Sequence, residues 1–148
     1  MSKTNTFENE LLLLVFNNTD ITLIGDAAGL QNSAAAGSLY VSLHTSDPTD
    51  TAATGQTTGE ISYTGYARVA VARTAGGWTV TGNSVSPTAA ITFGAMTAGA
   101  GGTVTHFGVG TDSSGNGKLL YKGTVSPNIV VSNGVTPQLT TATAITED

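Results

Sequence analysis

The sequence predicts a mainly β protein, an antiparallel, jelly-roll-like β-sandwich or barrel preceded by one N-terminal α-helix. Three observations predict it. Between residues 39 and 148, short runs alternate apolar and polar side chains at a period of two. Breaks bearing glycine or proline separate the runs: "SVSPT", "TAGAGG", "TDSSGNG", "VSP" and "SNGVTP". Only 10% of the 148 residues are charged, well under the usual quarter or so, and threonine, serine and glycine take their place. Threonine suits that role because its branched side chain fits a pleated strand and still meets water.

The helix comes first, in "NTFENELLLLVFNNT". Asn5 and Glu8 have capping-box spacing, and Glu8 and Glu10 place negative charge where the helix dipole favours it. Phe7, Leu11 and Leu14 share a stripe, Val15 lies beside it, and Leu12, Leu13 and Phe16 widen the apolar face. That face is expected to pack on the sheet of its own subunit and to offer Phe7, Leu11, Leu12 and Phe16 to a neighbouring chain. Residues 19–38, with "GDAAGLQNSAAAGS", read as a connecting arm. The expected division is therefore 1–38, helix and arm, and 39–148, β-sandwich.

In "LYVSLH", Leu39, Val41 and Leu43 face one way, and Tyr40, Ser42 and His44 the other. A long surface loop is expected at 45–60, around Pro48. Residues 66–73 alternate again, and "TAGG" leads to "WTVT", which reads as a hairpin with a four-residue loop. Trp78 is placed to cover the small alanines of its partner. Further strands are expected at "AAITF", "TVTHFGV", "KLLYKGTV", "NIVV" and from about Gln138 onwards.

The chain has no cysteine, which removes disulfides, thiolate catalysis and cysteine zinc sites. Its formal charge is −5, and the five basic residues (Lys3, Arg68, Arg73, Lys118 and Lys122) form no run. That argues against a nucleic-acid partner. The longest apolar run, "LLLLVF", is too short to span a bilayer, and no export signal is expected. His44 and His106 are too few for a usual zinc site. "TDSSGNGK" fails the calcium-loop pattern, because Gly123 stands twelve along where a glutamate is needed. "GAGG" is followed by no lysine and no helix, and no serine has a base beside it, so neither a phosphate loop nor a catalytic group is read. No cofactor, metal or enzymatic activity is expected. Arg68 and Arg73 are five apart and project to opposite faces of a regular strand. With Trp78 they complete the interface candidates, since arginine binds a carboxylate bidentately.

The ordered series "LYVSLHTSDP", "EISYTGYARVAVAR", "GGWTVTGNSVSP", "AITF", "GTVTHFGVGT", "GNGKLLYKGTVSPNIVV" and "NGVTPQLTTATAITED" resembles a family of small tailed-bacteriophage structural proteins, often named tail fibre proteins. The likeness covers most of 39–148, and "NTFENELLLLVFN" is similar as well. The loop after Pro48 departs from the family pattern. The resemblance implies a virion component, made in the host bacterial cytoplasm. Within the virion, the expectation is a capsid decoration (cement) protein bound to the major capsid protein or other virion proteins, itself a dimer or trimer. The alternatives are a tail fibre, adaptor or baseplate component, and a glycan-binding module in which Trp78, Tyr40, Tyr63 and Tyr66 stack on sugars.

Overall fold

The computed structural model describes residues 2–50 and 55–148. Among these residues are one α-helix, α1 (Asn5–Asn17), a 3-10 turn (Gly55–Thr57) and nine strands: β1 (Ser38–His44), β2 (Val69–Ala72), β3 (Trp78–Thr81), β4 (Ser84–Pro87), β5 (Ile91–Thr92), β6 (Gly102–Gly110), β7 (Leu119–Val131), β8 (Gln138–Leu139) and β9 (Ile145–Thr146). The sheets run β2-β1-β6-β7, β3-β4-β9 and β5-β8. Each pair of known register (β1–β6, β6–β7, β3–β4, β4–β9 and β5–β8) is antiparallel. The expected class holds, in its sandwich-like form; among the described residues no sheet closes into a barrel.

The chain forms two compact units. The first takes 1–38, 71–89 and 140–148; the second takes 39–70 and 90–139. The helix and arm do not stand alone. They share their unit with β3, β4 and β9, because α1 packs on β3 and β4. Leu12, Phe16, Ile21, Trp78 and Val85 are each 2% exposed or less there. Phe16 meets Trp78 edge to face, with ring centroids 4.8 Å apart, an arrangement worth about 0.5–1.5 kcal/mol beyond area burial.

The cap lies one residue earlier than expected. Thr4 is the N-cap, accepting from the Phe7 N–H, and Asn18 closes the helix in the left-handed conformation, φ 53°. The expected hairpin across "TAGG" is not formed. β2 joins the sheet of β1, and β3 pairs forward with β4 across the two-residue turn Gly82–Asn83. The turn begins with glycine at φ 60°, the order a tight hairpin favours. "SVSPT", read as a loop, is thus mostly strand.

The second unit is built on the β1, β6 and β7 ladder. Val41 stands opposite Val109, and Leu43 opposite Phe107. On β6, Val104 is buried like Phe107 and Val109 rather than facing away from them. The register explains it: pairing jumps from Val104–Ile129 to His106–Thr124, so Thr105 lies opposite a bulge of β7 at 125–128. That irregularity resets which side chains point inward. It also accounts for the expected break at "VSP", which falls inside one long strand.

Candidate functional site

The chemically richest part of the chain is a polar cluster inside the second unit. β1 was expected to carry Tyr40, Ser42 and His44 on the face opposite Leu39, Val41 and Leu43; Ser42 and His44 are 0% exposed, like Leu43 between them. Both faces of β1 are covered.

The first half of the cluster is centred on His44. Its Nε2 lies 2.8 Å from Ser42 Oγ, and its Nδ1 lies 2.8 Å from the Thr58 carbonyl oxygen. The Thr58 carbonyl can only accept, so Nδ1 carries the proton and Nε2 accepts from the Ser42 hydroxyl. Burial lowers the pKa of His44, outweighing the Thr58 bond and the Glu60 charge, which raise it. The imidazole is therefore neutral near pH 7. Gly108 makes the space: a Cβ there would sit 2.8 Å from Ser42 Oγ and 3.0 Å from His44 Nε2.

The second half is an ion pair. Arg68 Nε donates to Glu60 Oε1 and Nη2 to Oε2, both at 2.7 Å, the bidentate geometry in which arginine excels. Its remaining donors reach the carbonyl oxygens of Asp112 (2.9 Å) and Gly115 (2.8 Å). The Tyr66 hydroxyl donates to Glu60 Oε1 at 2.8 Å and accepts from the Leu43 N–H at 3.1 Å. Burial and the Glu60 charge raise the Tyr66 pKa, so the phenol keeps its proton. The bonds to Glu60 raise that of Arg68 against the effect of desolvation.

Gln56 links this cluster to the loops. It is fully buried; Nε2 donates to the Tyr40 carbonyl at 3.2 Å, and Oε1 accepts from the Asp112 N–H at 3.0 Å. Gly110 and Gly117 are obligatory beside it, since a Cβ would fall 2.1 Å and 2.4 Å from its amide group.

The arrangement has a serine bonded to a histidine, yet neither atom meets solvent. Its chemistry is that of a closed scaffold: donors and acceptors satisfy one another in a low-dielectric interior. Among the described residues, no group of three His, Cys, Asp or Glu could hold a metal ion. No helix among them is long and apolar enough to cross a membrane.

The residues expected at an interface fall into three places. Leu12, Phe16 and Trp78 lie in the core of the first unit, turned inward rather than toward a neighbour. Phe7 and Leu11 are half-buried on α1. Arg68 is in the cluster just described. Arg73 does something the sequence did not suggest: it caps α1. Its Nε donates to the Val15 carbonyl at 2.6 Å and its Nη2 to that of Leu14 at 2.8 Å, while Nη1 reaches the Ala36 carbonyl at 3.2 Å. The last turn of α1 has no basic residue of its own, so a cation from the end of β2 meets its orphan carbonyls. Of the sugar-stacking quartet, Tyr63 and Tyr66 lie together, ring centroids 5.4 Å apart, but Trp78 is 2% and Tyr63 7% exposed, which denies a ligand their flat faces.

The functional residues that sequence reasoning missed are Glu60, Gln56 and the glycines beside them. The signal was present in "HTSDP…GE" and "GYAR", polar residues flanking a predicted strand, but only the fold shows that they converge.

Fold and cluster define a small, mainly antiparallel β protein whose polar side chains are consumed in its own interior. Residues 2–146 match the family model described as the podophage GP4 fiber I protein gp80, and the chain belongs to that family. It is accordingly a phage virion structural protein. Among curated proteins, no relative was found.

Proposed function

We propose that the chain is a non-enzymatic building unit of a fibre-type appendage on the virion, acting through surface contacts with other virion proteins. The family description as a fiber protein carries this reading. The sealed cluster supports it, because the Ser42–His44 pair has no path to a substrate. A capsid cement role was read from a compact β domain with an acidic, sparsely charged surface and from an apolar helix face open to neighbours. Leu12 and Phe16 at 0% exposure weaken the helix part of that reading, and the family description favours the appendage.

Quantitative mass spectrometry of purified particles tests it. A fibre unit is present at a small fraction of the major capsid protein; a cement protein approaches it in copy number. A ratio near one to one would overturn the appendage in favour of cement, and absence from the particle would overturn both.

A further inference from the structure

We propose that Asn116–Gly117 is a self-modification site, which converts without an enzyme to aspartate and isoaspartate, with the Thr57 hydroxyl as the donor that speeds the conversion. The inference concerns the chain's own chemistry and does not rest on the virion reading above.

The sequence has two Asn–Gly pairs, Asn116–Gly117 and Asn133–Gly134. Such a pair is prone to cyclise, because glycine has no Cβ to shield its backbone nitrogen from the asparagine side chain before it. The two pairs differ in how their reacting groups are held. The Gly134 N–H donates to the Met96 carbonyl at 2.8 Å, so its nitrogen is released for attack only when that bond breaks. The Gly117 N–H meets no acceptor among the described residues. Asn116 is exposed, and its Oδ1 accepts from the Thr57 hydroxyl at 2.9 Å. Oδ1 is the atom on which negative charge develops when the side-chain amide is attacked. Thr57 therefore stands where an oxyanion donor belongs.

The conversion consumes water and releases ammonia. The Gly117 nitrogen loses its proton to solvent and bonds to Cγ of Asn116. The bond from Cγ to Nδ2 then breaks, and Nδ2 leaves as ammonia with a proton taken from water. Water opens the cyclic imide at either carbonyl. Attack on Cγ restores the ordinary backbone, now with aspartate. Attack on the backbone carbonyl leaves isoaspartate, whose main chain is longer by a methylene.

The loop has no room for that methylene. The Asn116 carbonyl accepts from the Gln56 N–H at 3.2 Å. A Cβ on Gly55 would stand 1.8 Å from the Asn116 carbonyl oxygen and 2.0 Å from that of Gly117, so the 3-10 turn lies directly against the bond that lengthens. The new carboxylate also arrives near that of Asp112, whose Oδ2 is 2.9 Å from the Cβ position of Gly117. The carbonyls of Asp112 and Gly115, in the same loop, hold Arg68. Conversion thus loosens Gln56 and the acceptors that keep Arg68 in place.

The test keeps the full chain in warm, mildly alkaline buffer and follows it by peptide mapping with mass spectrometry, with released ammonia measured alongside. Asn116 should convert about tenfold faster than Asn133, the factor that a net hydrogen bond of ~1.4 kcal/mol makes to a rate. The aged wild type should show a lowered urea midpoint, while Asn116→Gln aged in parallel keeps its own. Thr57→Val should lower the ratio of Asn116 to Asn133 conversion several-fold, and Thr57→Ser should preserve it. The ratio separates loss of the donor from general loosening, which speeds both sites. Conversion at Asn133 as fast as at Asn116, an undiminished ratio in Thr57→Val, or a converted wild type with an unchanged midpoint would each overturn the proposal.

Discussion

The two arginines of the central segment, five residues apart in sequence, end in different units and do opposite things. In the first unit, Arg73 binds only neutral acceptors, the carbonyl oxygens of Leu14, Val15 and Ala36 and the Ser33 hydroxyl, beside a core of Phe16, Trp78 and aliphatic side chains in which Glu8 is the buried acid. In the second, Arg68 is 2% exposed at its side chain and faces the carboxylate of Glu60. Removing Arg73 returns a helix end to solvent. Removing either member of the Arg68 pair strands a charge in the interior. Stability in the first unit is therefore a matter of packing, and in the second of complete pairing.

That contrast predicts a ranking. Glu60→Ala should be the most damaging polar substitution, costing about 3–5 kcal/mol by leaving a buried guanidinium unpaired. The urea midpoint measures it; a loss under 1 kcal/mol or so would mean that water reaches the cluster. Arg73→Ala should cost less, about 1.5–3 kcal/mol for charge-assisted bonds at a half-exposed helix end. If it matched Glu60→Ala, the distinction between the two units would fail.

Gly110→Ala comes next. Its Cβ would land 2.1 Å from Cδ of Gln56, and overpacking of this kind costs about 1–3 kcal/mol. Adding Gln56→Ala should recover part of the loss, since it removes the clash; a purely additive double variant would locate the strain elsewhere.

The smallest effect is a pH dependence confined to the second unit. Burial holds His44 below its ordinary value of 6.5 in the folded state. The unfolded chain then binds the proton more readily, so this contribution is complete above pH 6.5 and is lost as pH falls from there toward the folded pKa. Glu60, Arg68 and His106 are the charged or titratable groups acting on it, and Ser42 and Thr58 its bonded neighbours. Urea midpoints at pH 7.5 and 5 should fall for the wild type and change less in His44→Gln. Equal falls would assign the acid sensitivity to other groups.

Much of this was legible in the residues. The existence of α1 and the zigzag of β1 were readable from apolar spacing, although the buried stripe of α1 is Glu8, Leu12 and Phe16 rather than Phe7, Leu11 and Leu14, and a register shift at Thr105 overrides the zigzag of β6. "TGNS" was a readable hairpin signal as well, yet "TAGG" competed with it, and loop composition does not reveal that β2 turns away to β1. The burial of Ser42 and His44 was hidden for a different reason. Alternation tells which side chains differ, not whether the second face is also covered. What covers it is Gln56, Glu60, Tyr66 and Arg68, brought in from beyond a loop. The bulge opposite Thr105 was hidden in the same way, since a register shift leaves no mark on the shorter strand. Arg73 as a helix cap joins residues 58 and 59 positions apart, which local patterns do not reach.

The most direct measurement is covalent labelling of the folded chain with a fluorophosphonate and with diethyl pyrocarbonate, read by mass spectrometry. A sealed structural cluster predicts no adduct on Ser42 or His44, modification at the half-buried His106, and full reactivity of His44 only in urea. An adduct on Ser42 under native conditions would contradict it and make the Ser42–His44 pair a working site.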